Sequence, residues 1–275
     1  MLKNVLSLLL CVVPLASVNS AETAKPNIIF ILADDLGCMD IGAFNPKTFY
    51  ETPHINSLAN RGMKFNQAYA ACCVCSPTRG SIMTGRYPPR FGITNFIPGG
   101  RSGKLLPAPN AGQLALEEVT IAESLRDADY ATFFAGKWHL GGDEFYPGAQ
   151  GFPKKLNSGT GTKGGVQFWY PELDGVSFLP LLKGEVLERG KPLYWHYPHY
   201  SNQGGPPHGA IRDGDWKLIE WYEDNSLELY NIPEDVSEKN NLVATQPYKT
   251  KAMREKLIAW RKEVNALMPT PKPSK

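Results

Sequence analysis

Apolar and polar positions follow three rhythms along the chain. Residues 27–33, Asn-Ile-Ile-Phe-Ile-Leu-Ala, form an unbroken, β-branched apolar run, the pattern of a strand buried on both faces of a parallel sheet. The run ends in Asp34-Asp35-Leu36-Gly37. Residues 52–62 carry Thr52 as an N-cap, Pro53 at the first helical position and Gly62 as a stop, predicting a short helix with His54 on its surface. Residues 63–70 and 131–136 read as two further strands. Between them, residues 98–113 are rich in Gly, Pro and small polar side chains and predict a surface loop. Thr120-Ile121-Ala122-Glu123 is a capping box that opens a helix through Ala128, with Ile121, Leu125 and Ala128 on one face. Further on, residues 216–222 and 227–230 flank Asp224-Asn225, the pattern of a β-hairpin. Met253, Leu257, Trp260, Val264 and Leu267 then recur at four-three-four-three spacing, the buried stripe of a closing helix with Pro269 just past its end.

Composition narrows the class. A chain of 275 residues with 42% hydrophobic content builds one or two globular domains. The net charge of +2 is the balance of 29 basic and 27 acidic residues, scattered along the chain, so no field implies a nucleic-acid partner. Residues 1–20 read as a secretory signal peptide: Lys3 is its positive end, residues 6–15 its apolar core, and Val18-Asn19-Ser20 a small-residue cleavage site. Export to a periplasmic or extracellular space follows as the expectation. The apolar core is too short to span a bilayer, and Cys11 follows Leu10 where a lipoprotein signal needs a small residue, so no stable membrane anchor is expected. Four cysteines then remain, Cys38, Cys72, Cys73 and Cys75, which an oxidising compartment could pair.

The candidate chemistry centres on Cys75-Ser76-Pro77-Thr78-Arg79-Gly80-Ser81-Ile82-Met83-Thr84-Gly85-Arg86-Tyr87-Pro88. It places a thiol at the start of a short helix, where unpaired N–H groups and the positive dipole end lower its pKa and favour anions. Arg79, four residues on, returns to the same face. Cys72 and Cys75 also make a C-x-x-C pair with Cys73 between them, the pattern of a thioredoxin-like redox site, a disulfide or half a zinc site whose other half would be His196 and His199. The Asp34-Asp35 pair holds a hard cation between its like charges or serves as an Asx-type turn. In Gly136-Lys137-Trp138-His139-Leu140-Gly141, an extended chain directs Lys137 and His139 to one face, a cation beside an acid/base group.

The Cys75–Pro88 stretch resembles the signature of the type I sulfatases, C-x-P-[ST]-R followed by a Thr-Gly-[RK] tail. Asp34-Asp35 and Gly-Lys-Trp-His-Leu-Gly are similar to two further motifs of that family, in the same order. The resemblance implies an alkaline-phosphatase-like α/β fold, its sheet sandwiched by helices, with a small C-terminal antiparallel sheet plus helix. It implies a sulfuric ester hydrolase in which a formylglycine-generating enzyme converts Cys75 to formylglycine. Ca²⁺, with Mg²⁺ as the alternative, would bind Asp34, Asp35 and the modified Cys75. Arg79 and Lys137 would contact sulfate, and His139 would serve as acid/base beside the formylglycine hydroxyl. The substrate implied is a sulfate ester, sulfated polysaccharide included. Resemblance covers residues 26–141 and 174–268, giving a signal peptide (1–20), a shortened N-terminal α/β domain (21–172) and a C-terminal subdomain (173–275).

The chain also departs from that family. No apolar strand ends in the Asp-Asn pair that supplies further metal ligands, and Asp224-Asn225 reads as a turn. Lys163, in Gly-Thr-Lys-Gly-Gly, is the nearest counterpart of a missing family Lys, and a second active-site His is also lacking. The alternative to an active sulfatase is therefore a catalytically impaired remnant. A phosphatase or phosphodiesterase of the same superfamily is a third reading, opposed by Cys75 in place of Ser or Thr.

Overall fold

Strand pairing in this chain is concentrated at its C-terminal end. The computed structural model describes residues 25–152, 173–202 and 204–273. The expected signal peptide, Lys3 and Cys11 included, lies outside the described residues, as does Lys163. Backbone proximity divides the chain into two units, one ending at Leu36 and the other running from Gly37.

In the first unit, residues 25–36 run without helix or ladder, so the strand expected at 27–33 is not formed. Ile29 and Ile31 are 86% and 83% exposed. A strand exists through its neighbours, and the apolar run finds none among the described residues. For the same reason residues 63–70 and 131–136 remain unpaired chain.

The second unit forms helices at the expected start and stop signals, although the Thr52 side chain makes no cap to the first of them and accepts from the Gly42 N–H instead. α1 spans Pro53–Arg61, as its Thr-Pro start predicts, with His54 exposed. α2 (Cys75–Thr84) ends on Gly85, whose φ of 69° is the left-handed conformation glycine adopts freely. α3 (Pro88–Phe91) follows at once, and β1 is the short Leu105–Leu106. α4 (Ile121–Asp127) has its capping box, with Thr120 Oγ1 accepting from the Glu123 N–H. Its buried residue is Ala122, while Ile121, expected on the inner face, is exposed. α5 (Leu179–Leu182) leads to the sheet.

That sheet is an antiparallel meander of β2 (Leu193–Tyr197), β3 (His208–Asp213), β4 (Trp216–Trp221) and β5 (Leu227–Asn231). Asp224-Asn225 forms the predicted turn, with Asn225 at φ 58°. Pairing Ile211 with Leu218 and Leu218 with Leu229 lines three apolar side chains across one face. α6 (Pro247–Glu263) lays Met253, Leu257 and Trp260 on that line, with Val264 just past its end. Burying seven such side chains contributes on the order of 1.5–3 kcal/mol each. Asn265, at φ 53°, stops the helix, so Leu267, expected on the same stripe, lies beyond it and is exposed. Glu220 is buried against α6 between Arg254 (2.8 Å) and Arg261 (2.6 Å). β6 (Thr270–Pro271) returns to pair with β1. Among the described residues no helix is long and apolar enough to cross a membrane.

A second core lies under the N-terminal helices: Phe91, Ile93, Leu114, Trp138 and Leu140. Asp174 joins the C-terminal segment to this region, accepting from the Tyr87 N–H (2.6 Å) and Arg90 Nε (2.9 Å).

Two histidines bury without charge partners. His196 bonds to the Tyr222 hydroxyl and the Leu267 carbonyl, and His199 to Thr94 Oγ1. Burial pushes each down to about 4. The unfolded chain takes up both protons near pH 6.5 while the folded chain does not, so stability is constant above that pH and falls between 6.5 and 4. The expected slope is about 1.4 kcal/mol per pH unit for each histidine. Urea unfolding at pH 7.5, 6 and 5 measures it. His208, also lowered by burial, adds to the slope, so a His199→Gln variant should lose a clear part of it, and an unchanged slope would refute the assignment.

Candidate active site

Cys75 is the first residue of α2, half-buried at the helix start as its sequence context predicts. The loop before it is clasped by Thr78, whose hydroxyl accepts from the Cys72 N–H (3.1 Å) and donates to the Cys72 carbonyl (2.9 Å). Gly80 lets α3 approach, since a Cβ there would stand 2.5 Å from the Phe91 ring. Ser76 is fully buried, and its Oγ accepts from the Ile97 N–H at 3.1 Å.

Arg79 is also buried, and its Nη1 donates to the Lys137 carbonyl at 2.5 Å. The helix that carries Cys75 is thereby fastened to the Lys-Trp-His segment, fifty-eight residues away. Trp138 anchors that segment: its ring packs edge to face on Phe134 at 5.3 Å, and its Nε1 donates to the Phe145 carbonyl. Lys137 is exposed.

His139 differs from expectation. The segment is not extended, because His139 sits at φ 61°, and the alternation argument that put it beside Lys137 does not apply. Its Nε2 lies 2.6 Å from the Ile97 carbonyl. A carbonyl only accepts, so Nε2 donates to it, and in the neutral ring Nδ1 then holds the lone pair. Nδ1 is buried and has no hydrogen-bond partner. Ile97 thus holds Ser76 through its N–H and His139 through its C=O, linking the residue next to Cys75 with the candidate base.

The loop bearing Ile97 is itself held from the C-terminal sheet. The Tyr197 hydroxyl donates to Asn95 Oδ1 (3.0 Å), His199 meets Thr94 (2.8 Å), and Asn110 Oδ1 accepts from the N–H groups of Thr94 and Asn95. Sequence reasoning missed Ser76, Asn95, Ile97 and Tyr197. Ser76 stands at the unspecified position of C-x-P-T-R, and a contact through the Ile97 backbone leaves no trace in side-chain type.

His196 and His199 are spent on hydrogen bonds, which removes the second half of a zinc site. All four described cysteines are free, and the Cys72 thiol meets Cys73. The neighbouring Cys73 thiol, and then burial, raise Cys72, whereas the Cys72 thiol lowers Cys73. Asp34 and Asp35 are exposed in the first unit, Asp35 at φ 55°, a conformation Asp tolerates in Asx turns. Among the described residues no three His, Cys, Asp or Glu side chains converge. Calcium takes six to eight oxygens. The residues described do not complete such a site.

Comparison with known proteins places this geometry. A family model described as Sulfatase matches residues 26–173, and one described as N-sulphoglucosamine sulphohydrolase, C-terminal, matches residues 165–263. Arylsulfatase A of Bos taurus is 32% identical over 237 residues, covering 69% of this chain and 45% of its own. N-acetylgalactosamine-6-O-sulfatase of Bacteroides thetaiotaomicron is 40% identical over 125 residues, 45% of this chain and 22% of its own. The chain spans less than half the length of the curated relatives it matches. The solved structure of Ps i-CgsB superposes with a TM-score of 0.62 at 16% identity, covering 86% of this chain and 93% of that one. The fold is of the alkaline-phosphatase-like, mixed α/β class expected, realised here with antiparallel sheets.

The Arg79 tie can be tested directly. Arg79→Ala removes a charged donor from the Lys137 carbonyl and should cost about 1.5–3 kcal/mol. Amide exchange across residues 137–140 should accelerate in that variant. Unchanged exchange and an unchanged urea midpoint would show that α2 and this segment are held together by other means.

Proposed function

The chain belongs to the sulfatase family, and from that premise we propose that it is a sulfuric ester hydrolase whose nucleophile is built on Cys75. The observation that carries this is His139 Nδ1, buried and without a hydrogen-bond partner. It is tethered through Ile97 to Ser76, the neighbour of Cys75. A base needs an unspent acceptor near the proton it takes, and His139 offers one.

Cys75 fits conversion to formylglycine: it is half-buried at a helix start and carries the C-x-P-T-R sequence that a formylglycine-generating enzyme would recognise. The aldehyde hydrate would supply a hydroxyl to attack sulfur and a second hydroxyl whose deprotonation releases sulfate. Around it, the first turn of the ten-residue α2 offers positive dipole to the sulfate oxygens. Arg79 holds α2 against the Lys137 segment and adds a guanidinium charge at the same face of the helix. Lys137 would meet sulfate as an exposed cation. His139 Nδ1 would take the hydroxyl proton and return it to the departing alcohol. A role for Asp34 and Asp35 at Ca²⁺ rests on the sequence resemblance, and no part of the proton path runs through them.

A sulfated saccharide is the substrate class we favour, supported by the matches to the sulphoglucosamine sulphohydrolase model and to the Bacteroides enzyme. Export by residues 1–20 and division near residue 172 complete the proposal. An impaired remnant is the second reading, favoured by the absence of three convergent metal-ligating side chains among the described residues.

Co-expression with a formylglycine-generating enzyme should change the mass of the Cys75 peptide from thiol to aldehyde. The modified protein should then hydrolyse an aryl sulfate, and His139→Gln should lower turnover about 10²–10⁴-fold. Modification without turnover, with or without added calcium, would decide for the remnant. An unmodified Cys75 would remove the formylglycine assignment.

A further inference from the structure

Just ahead of α2, two thiols meet that the proposed hydrolysis does not use. Cys72 and Cys73 are sequence neighbours that line the same cavity, so both sulfurs can be brought to one bound atom. Cys72 is buried, its N–H and C=O both clasped by Thr78, while Cys73 is exposed. Both thiols line a cavity of about 460 Å³ on the face of the C-terminal sheet carrying Ala210 and Ile219. That face alternates with the one bearing Ile211 and Leu218, which packs on α6.

Tyr69, Trp195, Tyr197 and Trp221 give the cavity wall aromatic surface, alongside aliphatic, histidine and charged residues. Its shape is fixed by contacts within the wall. Tyr69 and Trp195 meet edge to face at 5.8 Å, and Trp195 Nε1 donates to the Ala70 carbonyl at 2.9 Å, two residues before Cys72. The cationic groups at its edge are already committed, Arg212 to Tyr69 and Lys217 to Glu238 at 2.7 Å. The cavity therefore presents soft sulfur and aromatic surface beside charged side chains that already have partners. Its volume falls in the range of small-molecule sites.

We propose that Cys72 and Cys73 form a dithiol site that captures a trivalent aryl-arsenical, both sulfurs binding one arsenic atom while the aryl ring lies against the aromatic wall. The reaction balances without an oxidant. Two As–S bonds form, the As=O bond breaks, and the two thiol protons leave with that oxygen as water, arsenic remaining trivalent. Exposed Cys73 binds first. Cys72 closes the ring, an intramolecular step that gives the pair its advantage over any single thiol. Soft thiol ligands suit such an electrophile, as they suit other soft centres. Cys38, exposed in the same unit, is a monothiol and serves as an internal reference.

The test uses the full chain carrying Cys75→Ser, which separates this site from the proposed nucleophile. Phenylarsine oxide should leave one phenylarsenic group per chain, retained against excess monothiol and removed by a small dithiol, as read by intact mass. Cys72→Ser and Cys73→Ser should each weaken retention about a hundredfold or more. Cys73 is exposed, so Cys73→Ser carries the decision wherever Cys72→Ser fails to fold. Retention that survives Cys73→Ser, or no retention in the parent, would overturn the proposal. Because no sulfate ester enters the measurement, its failure leaves the hydrolase proposal untouched.

Discussion

The geometry around Cys75 depends on one buried guanidinium. Arg79 donates to the carbonyl of Lys137, and this hydrogen bond ties the helix carrying the thiol to the segment carrying the candidate cation and base. A charged donor out of water needs its acceptors fixed, because each one lost leaves a desolvation cost uncompensated. The two segments are therefore not free to drift. The Ile97 peptide makes the second tie, N–H to Ser76 and C=O to His139, and it also determines which imidazole nitrogen bears the proton. The same peptide thus positions the base and sets its tautomer.

Behind this arrangement stands the C-terminal sheet, which does its positioning from a distance. Tyr197 at the end of β2 and His199 just beyond it hold Asn95 and Thr94, the residues that lead to Ile97. β2 can do so because β3 and β4 lock α6 on their far face, through Ile211 and Leu218 against Leu257 and through Glu220 between two arginines. Asp174 closes the circuit by binding the Tyr87 N–H and Arg90 just past α2. Packing on one side of the sheet is thereby converted into order in the loop beside the thiol.

What the sequence disclosed was local. Start signals announced α1 and α4, Asp224-Asn225 announced its hairpin, and the stripe from Met253 to Val264 announced the closing helix, because each is decided by residues a few positions apart. The stripe failed at Leu267, where Asn265 ends the helix first. The expected strands at 27–33, 63–70 and 131–136 failed for the opposite reason. Apolar periodicity reports what a segment would bury, and a ladder requires a neighbour that the segment itself cannot supply. In the site, Cys75 and Arg79 were legible because a helix start and an i, i+4 spacing place them. His139 was legible as a residue type but not in its direction, since a left-handed backbone at that position reverses the argument from extended chain.

The same division between local and distant determinants bears on what the chain can do. Everything that makes Cys75 a candidate for conversion to an aldehyde lies within the stretch from Cys75 to Arg86, and that stretch is a formed helix with its glycine stop in place. Binding a doubly charged cation is different in kind, because six or more oxygens must be gathered from separate parts of a fold. Two exposed carboxylates do not gather them. A chain can then keep the candidate nucleophile, the candidate base and the helix that orients them independently of how it gathers oxygens for a cation. In the proposed reaction, sulfate would leave with charge that Arg79, Lys137 and the α2 dipole would meet in part. Fixed dipoles and charges aimed at that developing charge usually supply most of the rate enhancement in such reactions, so electrostatic stabilisation is the part of the proposed reading for which the described residues account least.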